Sequence, residues 1–250
     1  MKPKKYMAPS DNGSPGPYFN NIERKMSNLK FPKLPHLRVI PTTFKPLIGC
    51  KIPKKSTMNS GFVGRYLDAF IKTQMNSPST PVHSPDLFQH GIEVKSKDIS
   101  SSASWSIGKM RLAEILNRPY RESSLFRKLQ ALLLVTCNDN YREVVDVGLY
   151  YFDMDEIQLK LEETYETIRA RLTAIWIEHD IHIREMIAKG DFSQIGTMPV
   201  FSNSQTFSGN FGKFEFSTGT SFNFRISTGQ MKSLCTIATT AAIAKKFEFV

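Results

Sequence analysis

The sequence predicts an α/β domain with a mixed central sheet flanked by helices, preceded by a basic N-terminal arm. Three observations carry this. Strand-length apolar runs occur at residues 131–137 (ALLLVTC) and 144–152 (VVDVGLYYF). Helical spacing of apolar residues marks other stretches, with Phe62, Tyr66, Leu67, Phe70 and Ile71 on one face. Strands and helices also mix without strict alternation, the pattern of a sheet with helices packed against it.

The elements follow in chain order. Residues 1–58 form the basic arm, and 1–55 carry nine of the fourteen prolines. Residues 36–52 (HLRVIPTTFKPLIGCKI) are more apolar and are expected to pack on the core as short extended pieces. A helix is expected at 60–75, stopped by Asn76-Ser77-Pro78, and a core strand at 90–97. Residues 97–109, rich in serine, read as a polar loop. A short helix at 123–130 leads into the strand at 131–137, with Asp139-Asn140 in the next connection. Residues 154–188 read as helical, in one or two pieces around Glu178–Asp180. Residues 196–212 read as a loop region. Residues 213–226 alternate cleanly and predict a hairpin around Gly219. Phe214, Phe216, Phe222 and Phe224 would share its buried face, with Lys213, Glu215, Asn223 and Arg225 opposite. A last helix at 228–243 and a short strand (KKFEFV) end the sequence.

Composition narrows the function classes. The net charge is +10, and all of the excess lies in residues 1–55, where twelve Lys/Arg face only Asp11 and Glu23. Such an arm suits a polyanion whose phosphates it neutralises, against the plainer reading of a solvated tail. No apolar run approaches the length of a membrane span, so no membrane partner is expected. No apolar segment follows the basic start in the manner of a secretory signal. Cys50, Cys137 and Cys235 are far apart and odd in number, which fits a reducing, cytoplasmic setting rather than a disulfide framework. Gly61 and Gly64 lack the context and the Lys-Ser/Thr of a P-loop, so no nucleotide cofactor is expected. His179 and His182 are three apart with no third ligand near, and read as surface histidines.

The chemistry concentrates at Pro85-Asp86 and Glu93-Val94-Lys95. Side chains alternate along a strand, so Glu93 and Lys95 share one face while Val94 points to the other. Asp86 can converge on Glu93. Two carboxylates and an ammonium in one pocket suit a hard divalent cation and phosphodiester hydrolysis. The structural alternative is an acid–lysine cluster on a strand edge, although polar groups embedded in an apolar strand need a reason.

The neighbourhood strengthens the motif. A helix reading Gly61-Phe-Val-Gly64-Arg-Tyr-Leu67-Asp68 precedes Pro85-Asp86 and Gly91-Ile-Glu93-Val-Lys95. Phe126-Arg-Lys128 precedes a core strand, and Gly219-Thr-Ser-Phe-Asn-Phe-Arg225 follows. This pattern resembles the MutH-like branch of the PD-(D/E)XK nuclease superfamily, which includes MvaI/BcnI-type restriction endonucleases. The match runs from about Gly61 onward; residues 96–122 and 154–212 align poorly.

The resemblance implies a restriction-endonuclease-like core over residues 59–250, with a C-terminal DNA-recognition part. It implies Mg²⁺, with Mn²⁺ able to substitute, and cleavage of double-stranded DNA leaving 5′-phosphates. Asp86 and Glu93 would be metal ligands with the Val94 carbonyl, and Lys95 would act on the attacking water or the transition-state charge. Asp68, where the family has Glu, would be a further metal-site carboxylate, and Lys128 a second catalytic lysine. Relatives of this kind act as monomers, and no dimerisation heptad is present. A type II restriction enzyme is the expected version, with a strand-nicking repair enzyme and a non-catalytic DNA-binding module as rivals.

DNA contacts are expected from the polar loop, at Lys97, Ser102, Ser104, Trp105 and Lys109. Base readout would draw on Asn203, Gln205, Lys213, Asn223, Arg225 and Lys232.

Overall fold

The computed structural model describes residues 41–52, 60–75, 84–101, 103–138, 143–188, 205–217 and 221–247. Among the described residues seven strands form two sheets rather than one central sheet. The first is mixed: β1 (Ile92–Asp98), β3 (Ala131–Asn138) and β4 (Glu143–Tyr151), in the order β1-β3-β4. In it β1 runs parallel to β3, and β3 antiparallel to β4. The second is antiparallel: β2 (Trp105–Arg111), β7 (Ser221–Ile226), β6 (Gly212–Phe216) and β5 (Thr206–Gly209), in that order. The expectation of an α/β chain with helices around sheet is met in this two-sheet form.

β3 explains why the first sheet reads as a continuous apolar run. Ala131, Leu133, Val135 and Cys137 face one hydrophobic cluster, and Leu132 and Leu134 face another. A strand buried on both sides has no polar face to alternate with. The first cluster packs helix α1 (Ser60–Gln74), through Val63, Leu67 and Ile71, against β1 and β3. Phe44, Leu47 and Ile52 join it. The stretch 41–52 does pack on the core, but Pro41–Leu47 is a 3-10 helix and not extended. Its chain then pairs with β4, Gly49 N donating to Val144 O at 2.8 Å and Val144 N to Cys50 O at 3.0 Å.

The second cluster lies between the first sheet, the inner face of the second, and helices α2 (Leu112–Asn117), α4 (Asp155–Ala188) and α5 (Thr228–Phe247). Phe214, Phe222 and Phe224 are fully buried there, in edge-on ring contacts, and Phe216 packs at the margin. The alternation expected for residues 213–226 is therefore realised. One polar side chain braces this core. The Gln158 amide nitrogen donates to Leu129 O and Phe152 O, and its oxygen accepts from the Tyr120 hydroxyl at 3.0 Å. A buried amide satisfied this fully is favourable to keep and costly to break.

Three further expectations are corrected and one left open is decided. The polar loop after β1 is much shorter than expected, because Trp105 and Lys109 belong to β2. The inward residues of β2 are Trp105, Ile107 and Met110, and a bulge between Ser106 and Gly108 breaks the period-two signal. Part of the 196–212 loop region is β5, a strand of four residues with a single buried apolar side chain, Phe207. Residues 155–188 form one helix, since no Gly or Pro interrupts them. Residues 245–247, expected to begin a strand, continue α5, carried by the alanine-rich turns before them. Asp139-Asn140 and Gly219 lie outside the described residues.

Candidate active site

The local chain path brings Asp86 beside β1. Gly91 adopts a left-handed conformation (φ 64°) and closes the short 3-10 turn Phe88–His90. The chain folds back so that Leu87 N donates to Ile92 O at 2.8 Å. This sets Asp86 beside the start of β1, where its Oδ2 accepts from Val94 N at 2.9 Å. Asp86 is thus tied to the backbone of the residue between Glu93 and Lys95.

Glu93 is 1% exposed. Its Oε1 accepts from Lys95 Nζ at 2.6 Å and from Lys128 Nζ at 2.8 Å. Its Oε2 is buried with no hydrogen-bond partner. Lys128 ends helix α3 (Ser124–Lys128), which Ser123 caps by accepting from Phe126 N at 3.1 Å. The Lys128 stem passes close over Gly108 of β2. A Cβ built on Gly108 would stand 3.1 Å from Lys128 Cδ. The missing side chain at Gly108 leaves room for the Lys128 stem.

Burial pulls the Lys95 pKa down, but the charges of Glu93, Asp86 and Asp68 outweigh it and hold the pKa above the ordinary lysine value. Lys95 is therefore an ammonium at neutral pH. Lys97, two residues on, is shifted the other way by partial burial alone.

A cleft of about 460 Å³ opens along this edge of β1. Its walls come from α1 (Gly64, Arg65, Asp68), Asp86, β1 (Val94–Lys97), Ser101, Ala103 and Ser104, β2 (Trp105, Ser106) and Arg225 of β7. Asp68 pairs with Lys72 through Oδ2 at 2.8 Å, while its Oδ1 is buried without a hydrogen-bond partner. Lys97 donates to Thr228 Oγ1 at 2.7 Å and lies 5.4 Å from the Trp105 ring centre.

Most of the expected cluster therefore comes together. Asp68, Asp86, Val94 and Lys95 share the cleft; Glu93 lies behind its wall, bonded to Lys95; Lys128 meets Glu93 from another helix. Lys97, Ser104, Trp105 and Arg225 also line the cleft. Trp105 is largely buried and anchors β2, so it is wall and core rather than a loop side chain.

The second sheet collects others. Its outer face carries two polar rows, Ser106–Arg225–Lys213–Ser208 and Lys109–Asn223–Glu215–Thr206, each crossing all four strands. Gln205 precedes β5 and does not line the cleft, and Lys232 is exposed on α5, also away from it. Ser102 and Asn203 lie outside the described residues. Sequence reasoning missed Gly64, Arg65, Ser106 and Gly108 as parts of the site. The family-like Gly61–Asp68 helix was the available signal for the first two.

Among the described residues, no three His, Cys, Asp or Glu side chains form a group that could hold a metal ion by themselves. Mg²⁺ needs less, since it is commonly held by one or two carboxylates, with waters and substrate phosphates completing its shell. Asp68 and Asp86 on the cleft wall, and the partnerless buried oxygens of Asp68 and Glu93, are donors of the kind that requirement calls for. Among the described residues no helix is long and apolar enough to cross a membrane. No protein-family model matches the chain, and no curated protein matches it.

Proposed function

We propose that this cleft is the active site of a Mg²⁺-dependent endonuclease acting on double-stranded DNA, within a restriction-endonuclease-like core of the PD-(D/E)XK type. A single observation carries the reading. Glu93 is buried, with one oxygen held by two lysines and the other left without a partner. A carboxylate kept only for stability would have both oxygens satisfied.

Asp86, Glu93 and the Val94 carbonyl would hold the metal, with Asp68 as a further carboxylate. When bound, Mg²⁺ would stabilise charge on the scissile phosphate and favour ionisation of the attacking water. The protein's own groups supply the rest. Val94 N–H fixes the Asp86 carboxylate in place. Lys95, charged and lining the cleft, orients the water and offsets the charge growing on the phosphate. Lys128 holds the Glu93 carboxylate from behind. Arg65, Lys97 and Arg225 outnumber the acids on the walls and suit a phosphodiester backbone.

A type II restriction enzyme of the cytoplasm, leaving 5′-phosphates, is the version we favour, acting as a monomer. One acid–lysine centre per chain means that a double-strand break takes two successive cuts.

The test is cleavage of supercoiled plasmid and phage-length DNA with Mg²⁺, Mn²⁺ or EDTA, beside Glu93→Gln and Asp86→Asn. Discrete metal-dependent fragments, absent in both variants, support the reading. Open circles that never become linear point to the nicking version. No cleavage of any DNA, with binding retained, would leave a DNA-binding module.

A further inference from the structure

We infer that the outer face of the second sheet is a docking surface for the double-stranded DNA backbone, and that Glu215 is its internal counter-anion, displaced by phosphate on binding. This rests on the nuclease reading for the identity of the substrate.

The face is built by register. The bulge in β2 keeps Ser106 and Lys109 both outward, so that each continues a polar row across β7, β6 and β5. In an antiparallel sheet, residues paired in this way lie on one face at close spacing. Lys109, Arg111, Lys213 and Arg225 project there, against Glu215 as the acid of these rows. Lys109 and Arg111 are exposed, and Lys213 and Arg225 partly so. The opposite face of the same strands is phenylalanine core. The basic residues are therefore fixed on a rigid support, which suits a surface that must present charge in a set pattern.

The face is continuous with the cleft. Ser106 and Arg225 belong to the first polar row and also line the cleft wall. A duplex whose backbone enters the cleft passes directly onto these rows. Glu215 sits beside that junction, 3.1 Å from Arg225 and 3.7 Å from Lys213. In the free protein it holds both cations in place and offsets their mutual repulsion. A phosphate arriving between them competes for the same donors, and a partly exposed pair is weak enough to exchange.

The experiment uses the full chain and a 30-base-pair duplex in EDTA, with affinity measured by fluorescence anisotropy from 50 to 200 mM salt. Lys109→Ala/Lys213→Ala should flatten the salt dependence by the equivalent of about two neutralised phosphates, so that affinity falls roughly tenfold less across that range. Glu215→Gln should bind about two- to fivefold more tightly. Lys160→Ala, on helix α4 and paired there with Glu156, should match wild type. Melting curves confirm that each variant is folded. An unchanged slope in the double variant, or unchanged affinity in Glu215→Gln, overturns the proposal. Equal binding of duplex RNA with the same sensitivity to the variants overturns the choice of DNA. Wild-type protein that binds with these slopes but cuts nothing removes the nuclease reading and supports the surface.

Discussion

Lys128 donates to Oε1 of Glu93 at 2.8 Å, the same oxygen that Lys95 reaches at 2.6 Å from two residues along the strand. One lysine is local and the other arrives from a separate helix across a glycine. The pair fixes the orientation of the carboxylate and leaves Oε2 as its one open valence.

Removing the distant lysine tests whether that orientation matters. Lys128→Ala should lower the single-turnover cleavage rate about 10- to 100-fold, the usual cost of removing a group that orients a metal ligand. Gly108→Val should do the same by obstructing the Lys128 stem, whereas Gly108→Ala should cost less, because a flexible methylene chain can yield a few tenths of an ångström. The double variant Gly108→Val/Lys128→Ala should be no worse than Lys128→Ala, since both act through the same Lys128–Glu93 bond. Additive effects would refute the shared route.

The cluster's effect on stability separates from its effect on activity. Glu93→Gln leaves two ammonium groups without their counter-charge and should cost about 3–5 kcal/mol in urea unfolding. Replacing all three groups, as Glu93→Leu/Lys95→Met/Lys128→Met, should recover much of that stability while activity stays absent. Stability that never returns would mean that the site's shape demands charge for folding.

The pH dependence follows from Lys95. Its pKa in the folded protein lies above the ordinary lysine value, because nearby carboxylates outweigh burial. The stabilisation it contributes is therefore complete below the unfolded lysine pKa of about 10.4 and disappears as pH rises through the higher folded value. The melting-temperature gap between wild type and Lys95→Met should stay level from pH 7 to about pH 10 and close above that. A gap that narrows below about pH 9 would contradict the assigned direction.

The N-terminal arm is tested by deletion, and the structure sets where to cut. Phe44, Leu47 and Ile52 are core residues, so a deletion reaching residue 55 would damage the fold. Residues 1–40 hold eight Lys/Arg against Asp11 and Glu23. Removing them should reduce the salt slope of DNA binding by about 0.9 for each phosphate that the arm neutralises, with the melting temperature unchanged. An unchanged slope would assign the arm no role in binding.

The legible parts of this protein were those written in local pattern. Glu93 and Lys95 share a face because strands alternate, and the phenylalanines of β6 and β7 fell on one side for the same reason. β2 was hidden because its bulge shifts Met110 out of phase with Trp105 and Ile107. Lys128 was visible as a lysine before a strand, but not as a partner of Glu93, since that bond depends on how α3 packs against β2. The split into two sheets is likewise tertiary: β2 and β7 pair although more than a hundred residues separate them.

That long-range pairing has a consequence for synthesis. Among the described residues β2 has no neighbour in its sheet except β7, and β2 supplies both a wall of the cleft and the glycine over which Lys128 passes. A chain emerging from the ribosome can form β1, β3 and β4 early, yet the strand beside the cleft has nothing to pair with until residues 221–226 appear. On the proposed activity, a copy that ends before residue 221 is harmless to the genome around it, and the ability to cut arrives only with β7.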